Sequence, residues 1–158
     1  MTEDRPAGAR VLIVEDNDDA RQMYARYLEH CGFAVSEARD GAEALRKAGR
    51  DRPQVIVMDL ALPGVDGWEA TRRLKARSTT RDTPIVALTG HALAGHEKVA
   101  RSAGCDAFLA KPCLPDELAA EIRRLLKARN TRVSSRRARD AAGSPRGKRP
   151  AKASVRSR

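Results

Sequence analysis

The sequence predicts an α/β fold, a parallel sheet with helices packed on both faces. Three observations point there. Short aliphatic runs without polar alternation mark strands buried on both sides, as parallel sheets require. Each run is followed by a helical repeat across a short loop, and strict β-α alternation implies right-handed crossovers. Aromatic residues are only 3% of the 158-residue chain, which suits a small aliphatic core.

In chain order, residues 1–9 are expected to be a disordered leader. Arg10-Val11-Leu12-Ile13-Val14 is a first buried strand and runs into Glu15-Asp16-Asn17-Asp18-Asp19. Ala20, Met23, Tyr24, Tyr27, Leu28 and Cys31 then recur with helical spacing; Asp18 is the expected N-cap and Gly32 the C-terminal stop. Residues 33–38 form a second, short strand. Asp40 caps a helix that carries Ala42, Leu45 and Ala48 to Gly49. After Pro53 comes the central strand Val55-Ile56-Val57-Met58-Asp59-Leu60, five of whose six residues are apolar. A third helix follows the Pro63-Gly64 turn, capped by Asp66. Residues 84–88 are the fourth strand and deliver Thr89. Residues 92–103 form a helix with a thin apolar stripe, ended by Gly104. Residues 106–110 are the fifth strand and end at Lys111-Pro112. Pro115 opens a last helix with Leu118, Ile122, Leu125 and Leu126 on one face. The domain is expected to span 10–129.

From 130 onward the apolar periodicity stops. Ten Lys/Arg and one acid in residues 130–158 carry +9 of the chain's net +10, leaving the first 129 residues nearly neutral. With only Val133 and Val155 as larger apolar groups, this tail is expected to be disordered, because it cannot bury enough surface to offset its ordering entropy. Cys31, Cys105 and Cys113 are an odd number without metal-ligand spacing, no apolar run reaches bilayer-spanning length, and the N-terminus lacks a secretory pattern. A cytoplasmic protein is expected.

Five polar residues stand at strand ends: Glu15 and Asp16, Asp59, Thr89 and Lys111. In an open α/β sheet these carboxyl ends share one rim, where ligands bind. Three carboxylates about 5 Å apart repel pairwise by roughly 3 kcal/mol at an effective dielectric near 20, so a cation is expected among them. An all-oxygen set with few protein ligands favours Mg²⁺. Lys111 and Thr89 are suited to holding the oxygens of a phosphoryl group, with Asp59 as nucleophile.

The segments Val-Glu-Asp-Asn, Met-Asp-Leu-Ala-Leu-Pro-Gly-Val-Asp-Gly, Ala-Leu-Thr-Gly-His-Ala and Phe-Leu-Ala-Lys-Pro, in this order and spacing, resemble the receiver domain of two-component response regulators. The resemblance implies a flavodoxin-like sheet of order 2-1-3-4-5 and Asp59 as phosphoacceptor. It also implies Mg²⁺ ligation by Glu15, Asp16, Asp59 and the Ala61 carbonyl, a switch pair of Thr89 and Phe108, and a cis proline after Lys111. A sensor histidine kinase or phosphotransfer protein is the implied phosphoryl donor. The implied output is a surface of helix four, strand five and helix five. The switch aromatic is Phe108, without the hydroxyl that a tyrosine would carry. His91, two residues past Thr89, is placed to hinder or orient water.

Rival readings fit less well. An aspartyl phosphatase of similar fold wants Asp-x-Asp, and the second position is Ala61. A flavin binder wants a phosphate-friendly loop where Glu15 to Asp19 stand. The Ser/Pro/Lys/Arg texture of the tail resembles a histone-H1-like extension, which implies nonspecific nucleic-acid binding through residues 130–158. An alternative makes that binding the main output and the domain a scaffold.

Overall fold

The computed structural model describes residues 8–90 and 96–143. Five parallel strands form one sheet of order β2-β1-β3-β4-β5. They are β1 (Arg10–Val14), β2 (Ala34–Ala38), β3 (Val55–Asp59), β4 (Ile85–Thr89) and β5 (Ala107–Ala110). The helices between and after them are α1 (Asp18–His30), α2 (Gly41–Asp51), α3 (Gly67–Ala76), α4 (His96–Ala103) and α5 (Pro115–Ala142). The expected fold class and strand order are both present.

Every residue of β3 and β4 is buried, which is why their sequences lack alternation. Registers place Met58 beside Val14 and Asp59 beside Leu88, so the ends of β1, β3 and β4 lie on one rim. One face of the sheet packs Ala44, Leu45, Ala70, Leu74 and Ala100 of α2, α3 and α4. The other packs Tyr24, Leu28, Leu118 and Ile122 of α1 and α5.

Several local details differ from the sequence expectation. The N-cap of α1 is Asn17, whose side chain accepts from Ala20 N at 2.9 Å, and Asp18 instead pairs with Arg21. The buried face of α1 is Arg21, Tyr24, Ala25 and Leu28, while Met23 is exposed. Gly32 does stop the helix, at φ +96°, where a side chain would be strained. Helix α2 runs past Gly49 to Asp51, because Gly49 faces solvent and Pro53 sets the limit: Arg52, the residue before it, leaves the helical region for φ +47°. Asp40 and Asp66 cap α2 and α3 as expected.

The largest difference is at α5. The disorder expected from residue 130 is replaced, as far as Ala142, by a continuation of the helix, whose residues from 130 are all exposed. No Pro or Gly interrupts 116–142, and Arg and Ala are strong helix formers. The half docked on the sheet supplies the nucleus, so each further residue adds a hydrogen bond without a new nucleation cost. At the other end Ala9, expected in the leader, accepts a hydrogen bond from Ala34 N at 3.0 Å and so extends the sheet edge. Residues 1–7, 144–158 and His91 lie outside the described residues. Among the described residues no helix is long and apolar enough to cross a membrane.

Candidate functional site

The rim of the sheet gathers the predicted residues. Glu15 follows β1 directly and is 2% exposed; its N donates to Ala38 O at 3.1 Å, which continues the β1–β2 ladder by one residue. Asp59 ends β3 at 3% exposure. Its Oδ1 accepts from Ala61 N at 3.0 Å, a bond that sets the carboxylate's orientation within the turn. Carboxylate oxygens of Glu15, Asp16 and Asp59 lie within 4.8 Å of one another, with Asp16 the exposed member.

Lys111 reaches in from the loop after β5. Its Nζ stands 2.6 Å from Glu15 Oε2 and 3.2 Å from Asp59 Oδ2. Its main-chain N donates to Thr89 O at 2.6 Å, which ties the lysine to the end of β4. The peptide between Lys111 and Pro112 is cis. Thr89 is buried at the rim. Phe108 pairs with Ala87 in register, two residues before Ala110, the partner of Thr89. The pleat therefore puts Thr89 and Phe108 on the same face of the sheet. Phe108 is half-buried there against the core shared with α2, α3 and α4. Ala61 is exposed at the mouth of the site.

Electrostatics follow from burial. Burial pushes the Glu15 carboxyl above the usual carboxylate range; the Lys111 hydrogen bond opposes that shift and the charge of Asp59 adds to it. For Lys111, burial acts to lower the ammonium's pKa, but Glu15 and Asp59 outweigh it and hold the group above its ordinary value. Two buried carboxylates, Glu15 and Asp59, thus share the Lys111 ammonium, while Asp16 stands exposed at the mouth. The donor set is entirely oxygen, clustered closely enough for one small ion, and open toward solvent through Asp16. These residues fit Mg²⁺.

Two supporting residues were not foreseen from the sequence. Arg21, 3% exposed, donates from Nη1 to Glu15 O at 3.0 Å and from Nε to Glu37 Oε1 at 3.1 Å. The signal for it was a charged residue three, four and seven positions before Tyr24, Ala25 and Leu28, that is, on the apolar stripe. Tyr24 donates its hydroxyl to Cys113 O at 2.8 Å, fixing the loop that carries Lys111 and Pro112. Cys113, in the same loop, is buried.

Residues 11–123 match the family described as the response regulator receiver domain. The chain is 41% identical over 118 residues to the response regulator MprA of Mycobacterium leprae, covering 75% of this chain and 51% of that protein. It thus spans about half the length of the MprA relatives. It is 39% identical over 102 residues to the polar-differentiation response regulator DivK of Brucella anthropi, covering 65% of this chain and 83% of that one. Among solved structures, chemotaxis protein CheY4 of Vibrio cholerae superposes with a TM-score of 0.72 at 34% identity, over 75% of this chain and 99% of that chain. The receiver domain of sensor histidine kinase PA1611 from Pseudomonas aeruginosa PAO1, a structure with a magnesium ion coordinated in the active-site cleft, gives a TM-score of 0.71 at 38% identity, over 77% and 99%. With the acidic trio assembled, the alternative of a receiver kept only as a scaffold for its tail gains no support. Strand order, acidic pocket and the match over 11–123 agree: this chain belongs to the receiver-domain family of two-component response regulators.

Proposed function

We propose that Asp59 accepts a phosphoryl group from a phosphohistidine on a sensor kinase or histidine phosphotransfer protein. The carrying observation is the state of the Asp59 carboxylate: Oδ1 is held by Ala61 N while Oδ2 faces Lys111. One carboxylate oxygen of Asp59 attacks phosphorus in line, the phosphorus–nitrogen bond to the donor imidazole breaks, and that ring leaves with the electron pair. The product is an acyl phosphate on Asp59. Lys111, already carrying its proton, moves its charge from the carboxylates to the phosphoryl oxygens, and the Thr89 hydroxyl donates to another of them.

Glu15, Asp16, Asp59 and the Ala61 carbonyl would hold Mg²⁺, which when bound neutralises charge on the equatorial oxygens. Thr89 and Phe108, sharing a face, form the switch: Thr89 moves toward the phosphoryl group and Phe108 turns inward. The surface of α4, β5 and α5 then shifts and engages a downstream protein. The chain is a phosphoacceptor, with catalysis limited to slow self-phosphotransfer and dephosphorylation. Its three free thiols suit the reducing cytoplasm.

The test is incubation with acetyl phosphate and Mg²⁺, read by intact mass and by nitrogen-proton spectra with a beryllofluoride mimic. Wild type is expected to gain one phosphoryl adduct and Asp59→Asn none. An adduct of equal yield in Asp59→Asn, or none in wild type, overturns the assignment.

A further inference from the structure

The docking face of α5 has a continuation that the receiver does not use. Leu118, Ile122 and Leu125 are buried on the sheet. The same alternating four-three spacing continues through Arg129, Arg132, Arg136 and Arg139. One helical stripe therefore changes from apolar to arginine where it leaves the sheet. Arg129 marks the change, donating from Nη1 to Gln54 O at 3.0 Å. Beyond it the exposed helix extends roughly 20 Å at its rise per residue.

The stripe arginines lack the ion pairs that other surface arginines make. Elsewhere on the surface Arg72, Arg73, Arg101 and Arg124 each pair with a glutamate one turn away. Among the described residues no carboxylate forms an ion pair with Arg129, Arg132, Arg136, Arg137 or Arg139. Arg132 and Arg136, four apart, and Arg136 and Arg139, three apart, instead repel along the helix. The stripe lines an open cleft of about 650 Å³ whose lining also includes Asp82 and Asp106. Asp106 is engaged by Lys75 Nζ at 2.8 Å, so it is not available to neutralise the stripe.

We propose that the exposed half of α5 is a binding surface for the phosphate backbone of nucleic acid. Three exposed stripe arginines, Arg132, Arg136 and Arg139, with Arg137 on the flank, present guanidinium groups of the kind that match phosphate oxygens, Arg139 with its Nε on Ser135 O and its terminal nitrogens outward. Repulsion within the stripe is relieved by a polyanion and worsened by a second copy of the chain. A membrane surface fits poorly, because this half of the helix offers only Val133 as a large apolar group and has no face to insert. An acidic protein partner would meet no apolar patch on which to build an interface core. The charge also continues in sequence: residues 144–158 add six Lys/Arg and no acid, a run suited to an extended polyanion. The surface acts without base readout, and its strength follows counterion release. It lies on the opposite end of the sheet from Asp59 and does not depend on the phosphoacceptor reading.

The experiment is fluorescence anisotropy of the full chain with a labelled mixed-sequence DNA duplex of about 25 base pairs over a salt series. Three variants are compared with wild type: Arg132→Gln/Arg136→Gln/Arg139→Gln, the same three positions changed to Lys, and Arg146→Gln/Lys148→Gln/Arg149→Gln/Lys152→Gln. Circular dichroism reports helix content in each. The glutamine triple is expected to weaken binding at least about tenfold and to reduce the log-log salt slope by about 2 to 3, while the lysine triple keeps most of the slope. The proposal is overturned if no duplex binding occurs at low salt. It is equally overturned if the glutamine triple binds like wild type and only the tail variant loses affinity, or if the lysine triple loses as much as the glutamine triple. Tighter capture by phosphatidylserine vesicles or poly-glutamate than by the duplex also overturns it.

Discussion

Arg21 and Glu15 are joined through the main chain: the buried guanidinium in the first turn of α1 holds the Glu15 carbonyl at 3.0 Å. The backbone that presents the Glu15 carboxylate to the acidic pocket is thus set by a side chain outside the pocket. Arg21→Met keeps the buried stem and removes the donors. The expected cost is about 1–3 kcal/mol in urea denaturation, from a buried carbonyl left unpaired. Glu37 and Asp18, its carboxylate partners, are partly exposed, so their loss adds little. Mg²⁺ affinity measured by calorimetry should fall with it. Unchanged affinity in a folded variant would show that Glu15 is positioned without Arg21.

Gly67 opens α3 against the end of β3. A methyl group there would stand 2.1 Å from Asp59 O and 2.7 Å from Leu60 Cα. Both contacts are backbone, so nothing flexible can yield. Gly67→Ala should destabilise the fold by about 1–3 kcal/mol through overpacking. It should also move the Asp59 turn, lowering the yield of the acetyl phosphate reaction. A variant as stable and as readily phosphorylated as wild type would mean that the helix start slides freely.

Tyr24 links α1 to the loop behind the lysine. Tyr24→Phe leaves the Cys113 carbonyl without its 2.8 Å donor in a buried position. A loss of about 1–3 kcal/mol is expected, with shifts in the nitrogen-proton resonances of Lys111 and Cys113. If only residues of α1 shift, the hydroxyl does not position the lysine loop.

The parts of this fold legible in the sequence are those where one physical demand dominates. Val55 to Met58 could only be a doubly buried strand, and a carboxylate closing such a strand demands partners, which led to Glu15, Asp16 and Lys111. Asp40, Asp66 and Gly32 could be placed because caps have narrow chemistry. What escaped were positions where tertiary context overrides a local preference. Arg21 occupies a core-facing position because a main-chain acceptor lies within its reach, whereas Met23, the better hydrophobe, faces solvent. Asn17 displaced Asp18 as cap because Asp18 pairs with Arg21. The length of α5 escaped because judging 130–142 by its lack of buried surface ignored the docked helix that nucleates it.

Acid sensitivity should reside partly in α2. The Lys47 side chain donates to Glu43 at 2.8 Å and Arg39 N donates to it at 2.9 Å. The Lys47 hydrogen bond first, and the Arg39 backbone bond second, hold the Glu43 carboxyl below its ordinary value of 4.5. The folded state therefore binds this proton more weakly than the unfolded chain, and stability rises with pH across the interval between the two values. The contribution is complete above the unfolded value and is lost as pH falls through the depressed folded one. Glu43→Gln removes the titration while keeping the size of the side chain. Urea midpoints followed from about pH 6 down to about pH 3 should fall more steeply for wild type than for the variant. Parallel curves would assign the acid loss to other paired carboxylates, of which Asp51 beside Arg50 and Glu69 beside Arg72 and Arg73 are the next to replace.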